Sequence, residues 1–491
     1  MTGAVQHLSQ PRSLLRREVL QRTALGFGGL AAAGMLAEAS ATGMPNPPGT
    51  PPVTAARGPL AARAPHFPAT ARRVLFLFMH GGVSHVDSFD PKPELTRRSG
   101  QPLPIPKPQF EFAPTGNLLG SPWKFRPYGE SGIEVSDLFP RIGSCVDEMA
   151  VIRSMNGGDQ VSHGPALLNI NTGSGVFARP SLGAWTLYGL GSENSNLPGF
   201  LSLSPSLYHG GTQNFGSAFL PAAYQGTRIG DGSTNFRDAK LSSLQPGESA
   251  ARQRLQLDLL RRRNLRHQQS LGGAAADSEF DARMESFEMA FRMQAEAPEV
   301  LDLSQETMQL QTAYGVGVEP TDEFARQCLF ARRCLEAGVR FVQVNFSYPR
   351  NYWDAHGDLR NNHTANAARV DQPVAALLQD LKARGLLHDT LVIFGTEFGR
   401  TPAAQGNDGR DHHPHAFSIW MAGGGIRGGT VYGQTDEFGY YVADRKMTMP
   451  DFHATILHLL GLDHERLTFR FAGRDYRLTD VHGKVAREIL L

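Results

Sequence analysis

The stretch GRDHHPHAF, Gly409 to Phe417, places Asp411, His412, His413 and His415 within five residues. Imidazole and carboxylate are the donors that zinc, manganese and similar divalent cations take, so the stretch reads either as part of a metal centre or as a polar loop rich in histidine. Three further segments carry the same donor types. MHGGVSHVDSFDPKP holds His80, His85, Asp87 and Asp90, SYPRNYWDAHGDLRNNH holds Asp354, His356, Asp358 and His363, and GTEFGRTP holds Glu397 and Arg400. Each is a weak signal when taken singly. Glu397 closes an apolar run, where an unpaired carboxylate is costly, so a bound cation or Arg400 is its expected partner. Asp354 and Asp358 also read as turn residues, Asp90 beside Pro91 as a turn or cap residue, and His85 and His363 as ordinary loop histidines.

The elements between these segments decide whether they can meet. RRVLFLFM is followed by His80 and the turn Gly81-Gly82, and its apolar run from Val74 to Met79 shows little alternation, as expected of a strand buried on both faces. Similar runs recur at VRFVQVNF (Val339 to Phe346), DTLVIFGTE (Asp389 to Glu397) and AFSIWMAGGG (Ala416 to Gly425). Between the second and third lies VDQPVAALLQDLKARGLL, Val370 to Leu387, whose apolar spacing and closing Gly385 predict a helix. Strand and helix alternating in this way imply an α/β fold with a doubly wound, mostly parallel sheet sandwiched by helices. In such a sheet ligands bind beyond the carboxyl ends of the strands, and the four donor segments all adjoin strand ends. The chain from about residue 180 to 300 reads differently, with a Gly-, Ser-, Asn- and Pro-rich part followed by two polar helices, and suggests a cap or insertion.

Bulk properties narrow the function classes. Lys plus Arg is 48 and Asp plus Glu is 47, so the net charge of +1 gives no electrostatic case for nucleic acid or an anionic membrane. Three cysteines, Cys145, Cys328 and Cys334, are too few for a disulfide framework and lack any metal-binding spacing. Gly423, Gly425 and Gly428 match a dinucleotide-binding glycine pattern, but TVYGQT follows and opens no helix. No nucleophile elbow of the G-x-S-x-G type is present.

The first residues read as a targeting segment. LLRREVLQR runs into the weakly apolar ALGFGGLAAAGMLA and then the small residues Ala39 to Ala41, and the pair Arg16-Arg17 resembles a twin-arginine export signal over residues 1–41. The apolar part is too short to span a bilayer, which leaves no transmembrane segment expected in the mature chain. Residues 42–70 are rich in Pro, Ala and Gly and suit an extended linker, so the folded domain is expected over residues 71–488 in an exported, periplasmic or extracytoplasmic protein.

The runs FRPYGESGIEVSDLFP, RPSLGAWTLYGLGSENSNLPGF, NYWDAHGD, GTEFGRTP, GRDHHPHAFSIWMAGGGIRGG and DFHATILHLLGLD resemble the family called domain of unknown function 1501, found mainly in planctomycete and related bacteria. That family is similar in turn to the alkaline phosphatase and sulfatase superfamily. The resemblance implies a metal-dependent hydrolase of phosphate or sulfate esters, acting on a small-molecule or glycan ester. It also implies one or two divalent ions, zinc or manganese, and a family-level association with exported cytochrome-like proteins. Carried over residue by residue, it gives one metal site to Asp354, His356 and His413, with His412 as the second choice for the last. A second position falls to Glu397 and His80, with Asp87 nearby; Phe398 stands where the superfamily has an imidazole. The nucleophile position, counted back from Thr172-Gly173, falls on His163 with Ser162 beside it, and Arg400 is the expected clamp on the substrate anion. The alternative is a fold-retaining binding or surface-complex protein without a nucleophile.

Overall fold

The computed structural model describes residues 58–106, 113–239, 249–270 and 302–491, with residues 284, 287–289, 291–293 and 299–300 between the last two stretches. The expected leader lies outside the described residues, as does the expected linker up to residue 57. Residues 58–70 are not a free linker. Arg63 N–H donates to Leu190 O, His66 N–H to Gly461 O, and Thr70 and Ala71 N–H to Leu459 O, so this extended segment finishes the ends of two helices.

The core strands, in chain order, are β1 (Arg73–Met79), β2 (Met149–Asn156), β3 (Phe200–Leu203), β4 (Thr227–Ile229), β5 (Phe341–Phe346), β6 (Thr390–Gly395), β7 (Gly399–Gln405), β8 (Gly409–His413), β9 (Phe417–Ala422), β10 (Thr430–Tyr432) and β11 (Met447–Thr448). Nine of them form one sheet in the order β10-β2-β9-β6-β1-β5-β3-β4, with β11 also on β2, while β7 and β8 form a separate antiparallel hairpin. β1 is central and parallel to both neighbours, pairing Val74 with Phe341 on one side and with Leu391 on the other. β3 and β4 come from the stretch that reads as a cap, so part of it belongs to the central sheet.

Why β1 is apolar throughout follows from its two faces. Leu75, Leu77 and Met79 enter one core cluster with Phe324, Leu329, Val374 and Leu381. These come from the helices Asp322–Glu336 and Leu359–Ala383. Val74, Phe76 and Phe78 enter the other cluster with Trp185, Ile170, Phe452 and Ile456. Those belong to helices Leu182–Leu190, His163–Thr172 and Met449–Leu459 on the opposite face. A buried Phe or Leu on such a strand contributes about 1.5–3 kcal/mol relative to exposure. The fold is therefore α/β, with a mostly parallel sheet between two helical layers, as the alternation of strand and helix implies. No described helix is long and apolar enough to cross a membrane.

One strand departs from the parallel expectation. β9 is antiparallel to both β2 and β6. No crossover helix separates it from β6; the hairpin of β7 and β8 reverses the chain instead. The reversal has a consequence for the site. In an antiparallel strand the residues just before it sit at the same sheet edge as the residues just after its parallel neighbours, so the GRDHH segment reaches the edge where β1, β5 and β6 end. That segment is also not a wet loop, because Gly409 to His413 are all buried and all but Asp411, at a register shift, pair with β7.

Candidate metal centre

At the end of β1 the chain turns sharply through Gly81 and Gly82, whose φ values are 111° and 86°. A Cβ on Gly81 would lie 2.5 Å from Trp353 N and 2.6 Å from Asp354 N, so only glycine lets the segment after β5 approach this closely. The turn also aims the Gly81 N–H at Glu397, which follows β6, at 2.9 and 3.2 Å from its two carboxylate oxygens. Three strand ends are thereby tied together by one glycine. From the opposite side the helix His163–Thr172 points its first residue into the same space, with Ser162 at the N-cap making no side-chain cap hydrogen bond.

The donors form a continuous row. His356 Nε2, His412 Nε2 and Asp354 Oδ1 are mutually 3.0 to 3.1 Å apart. His163 lies beside them, with Nε2 3.3 Å from Asp354 Oδ2 and Nδ1 2.8 Å from Glu397 Oε1. His80 follows, its Nε2 3.9 Å from Glu397 Oε1 and 3.1 Å from Nδ1 of His209. Three overlapping sets have donor atoms within 4.8 Å of one another: His80, His163 and Glu397; His163, Asp354 and His412; and His356, Asp411 and His412.

Each ring's other nitrogen shows which way its lone pair faces. His412 Nδ1 is 2.6 Å from Val161 O, and a carbonyl can only accept, so Nδ1 carries the proton and Nε2 faces inward as an acceptor. His356 Nδ1 donates to Gln405 Oε1 in the same way. Asp354 is held from behind by the Arg400 guanidinium. The centre of the row is thus three acceptors facing one another, which a proton on His356 can bridge at one pair but not at all three. Such a set fits a cation, and the partners behind each donor are of the kind that orient metal ligands.

The electrostatics agree with this geometry. Burial disfavours ionisation of Asp354, but bonds from His163, His356 and His412 and the charge of Arg400 outweigh it and hold the carboxyl far below the usual range. Burial opposes a charge on His163 as well, yet its bonds to Asp354 and Glu397 raise it to about 9. His412 and His80 are pushed down to about 4, chiefly by burial. Glu397 falls to about 2 because the His163 bond and the charges of His80 and His163 overcome its desolvation.

Several expected residues stand elsewhere. His413, the first choice beside Asp354 and His356, points to the other side of β8, where Nε2 meets Tyr440 O at 2.6 Å and the ring stacks on His85. Neighbours on a strand face opposite ways, so only one of His412 and His413 can reach the row, and it is His412. Asp87 is not at the row either. It is buried in an ion pair with Arg410, Oδ2 to Nε at 2.7 Å. Arg400 is fully buried and donates to Gly81 O, Gly82 O, Arg410 O and Asp354, so it positions protein groups and does not present a clamp for a substrate anion. His209, like Gln405 behind His356, is a residue that sequence reasoning missed. It sits in a left-handed backbone conformation in the loop after β3, a place that its local sequence LYHGG does not announce.

The family model described as "Protein of unknown function (DUF1501)" matches residues 71–490, and the chain belongs to that family. No curated protein matches the chain. Among solved structures, it is similar to the lipoteichoic acid synthase LtaP from Listeria monocytogenes at 7% identity and TM-score 0.34, over 85% of this chain and 78% of that one. It is also similar to an alkaline phosphatase superfamily protein from Vibrio parahaemolyticus, at 11% identity and TM-score 0.31 over 87% and 73% of the two chains. A third is alkaline phosphatase from the Antarctic bacterium TAB5, at 10% identity and TM-score 0.33 over 80% and 99%.

Proposed function

We propose that the protein is an exported metal-dependent hydrolase acting on a phosphate or sulfate ester. The cation, zinc or manganese, is held by Asp354, His356 and His412. The observation that carries this reading is the convergence of His356 Nε2, His412 Nε2 and Asp354 Oδ1 within 3.1 Å, each fixed by a partner on its far side. The chemistry such a cation supplies when bound is Lewis-acid polarisation of the ester and acidification of water. The protein's own part is to hold Asp354 ionised through Arg400 and to keep the imidazoles in one tautomer through Val161 O and Gln405. His412 and Arg400 are buried while Asp354 and His356 are partly exposed, so the donors are held in place by buried partners and remain open to solvent on one side. Export rests on the resemblance of the Arg16-Arg17 segment to a twin-arginine signal.

A second reading, a binding protein that keeps the metal without turnover, is favoured by His163. It stands at the position that the family resemblance gives to a nucleophile, and both of its nitrogens face carboxylates. Elemental analysis of the purified mature protein, followed by a panel of aryl phosphate and sulfate esters, separates the readings. Stoichiometric metal with turnover supports the hydrolase, metal without turnover supports the binding protein, and no metal in the wild type overturns both.

A further inference from the structure

Glu397 and His80 carry the imidazole and carboxylate expected of a second cation position, yet their bonding is that of groups already satisfied. The two Glu397 oxygens accept the Gly81 N–H, the Thr396 hydroxyl at 3.0 Å and the His163 Nδ1–H at 2.8 Å. His80 Nδ1 accepts the backbone N–H of Tyr348 at 3.4 Å, which puts the ring proton on Nε2 and directs it at His209 Nδ1, 3.1 Å away. A ring protonated at Nε2 offers no lone pair toward Glu397.

His163 is arranged in the opposite sense. Its Nδ1–H is given to a buried carboxylate, so the atom facing the row is Nε2, which points to Asp354 Oδ2, the carboxylate oxygen that neither His356 nor His412 uses; without a cation that nitrogen carries a proton shared with Asp354, and a bound cation would take the proton's place. The donor atoms of His163, Asp354 and His412 fit within 4.8 Å of one another. A carboxylate behind an imidazole behind a metal is the recurrent arrangement by which proteins fix a ligating histidine.

We propose that His163 is a fourth ligand of the cation held by Asp354, His356 and His412, that Glu397 is its positioning residue, and that the site holds one ion. This rests on the reading given under Proposed function and deepens it. The donor set becomes three imidazoles and one carboxylate, which suits zinc and related first-row cations and disfavours magnesium and calcium, whose preferred ligands are oxygen. It also assigns the residue at the expected nucleophile position to binding the ion, so no covalent enzyme intermediate forms on His163.

The test uses the full chain stripped of metal and titrated with zinc against a chromophoric chelator. One zinc per chain is expected, with magnesium failing to compete. His163→Gln and Glu397→Gln should each weaken zinc by at least about 10–100-fold, the usual cost of losing an orienting partner. In the cobalt-loaded wild type, three paramagnetically shifted imidazole Nδ1–H signals are expected, from His163, His356 and His412. This count decides the question even if a variant fails to fold. Wild-type zinc affinity in folded His163→Gln, two such signals in the wild type, or two zinc ions per chain would each overturn the proposal. If His412→Gln loses zinc in those cases, the three-residue centre survives; if His412→Gln also keeps wild-type affinity, the cation reading itself fails.

Discussion

His356 Nε2 lies 3.0 Å from His412 Nε2, and each ring has its Nδ1 proton committed elsewhere, to Gln405 and to Val161 O. Two imidazole acceptors at that separation, with the Asp354 carboxylate 3.1 Å from both, form a contact that a shared cation relieves. The expected outcome is a protein whose stability depends on metal. Zinc at 100 times its dissociation constant should add about 2.7 kcal/mol, and a chelator should remove it. His412→Ala should abolish this increment. His413→Asn should keep it even though its basal stability falls, because His413 bonds Tyr440 O on the far side of the strand. Thermal unfolding with and without zinc is the measurement, and an increment lost in His413→Asn alone would reverse the assignment.

Asp87 makes a contrasting case. Its carboxylate and the Arg410 guanidinium are both fully buried and bonded at 2.7 Å, and Arg410 outweighs desolvation to keep Asp87 ionised. Asp87→Asn leaves that guanidinium without its counter-charge and should cost about 3–5 kcal/mol in urea unfolding. Metal content per folded chain should not change. A drop in metal stoichiometry at full folding would return Asp87 to the centre.

Gly81 links backbone geometry to ligand position. Gly81→Ala would place a methyl group 2.5 to 2.6 Å from the backbone nitrogens of Trp353 and Asp354, at a φ of 111° that side chains disfavour. The strain should cost on the order of 1–3 kcal/mol. Because relief requires Asp354 to retreat, zinc affinity should fall as well. Zinc binding as tight as wild type in the folded variant would show that Asp354 holds its place without the close turn.

The alternation of apolar strands with helices made the fold class legible, and the donor residues adjoining strand ends meet at one edge of the sheet. What the sequence could not show was direction. β9 has the same apolar character as β6, and only pairing makes it antiparallel and brings His412 to the edge where Asp354 stands. The choice between His412 and His413 is likewise a matter of strand face. A register difference of one residue inverts it, and neither side chain differs chemically from the other. His209 and Gln405 were invisible because each is a common polar residue whose role comes from partners more than 40 residues away. Arg400 was seen as a charge beside a carboxylate, but whether it faces solvent or backbone carbonyls is decided by the hairpin that buries it.

His453 offers a test of the core apart from the metal centre. It lies on helix Met449–Leu459, its Nε2 donates to Ile170 O at 2.7 Å, and burial lowers it from 6.5 to about 4. The folded state therefore binds its proton less readily than the unfolded chain. Between about pH 6.5 and pH 4 the unfolded state holds more protons on this residue, so stability falls as the pH drops through that window and levels off below it. With 1.36 kcal/mol per unit, His453 alone accounts for on the order of 3 kcal/mol of acid sensitivity. Urea midpoints across pH 7 to 4 should show a shallower fall in His453→Gln than in the wild type, although the variant starts less stable. The remaining slope comes from the other buried histidines, His85 and His363 among them, which burial also lowers. Equal slopes in the two proteins would mean that His453 takes up its proton in the folded state.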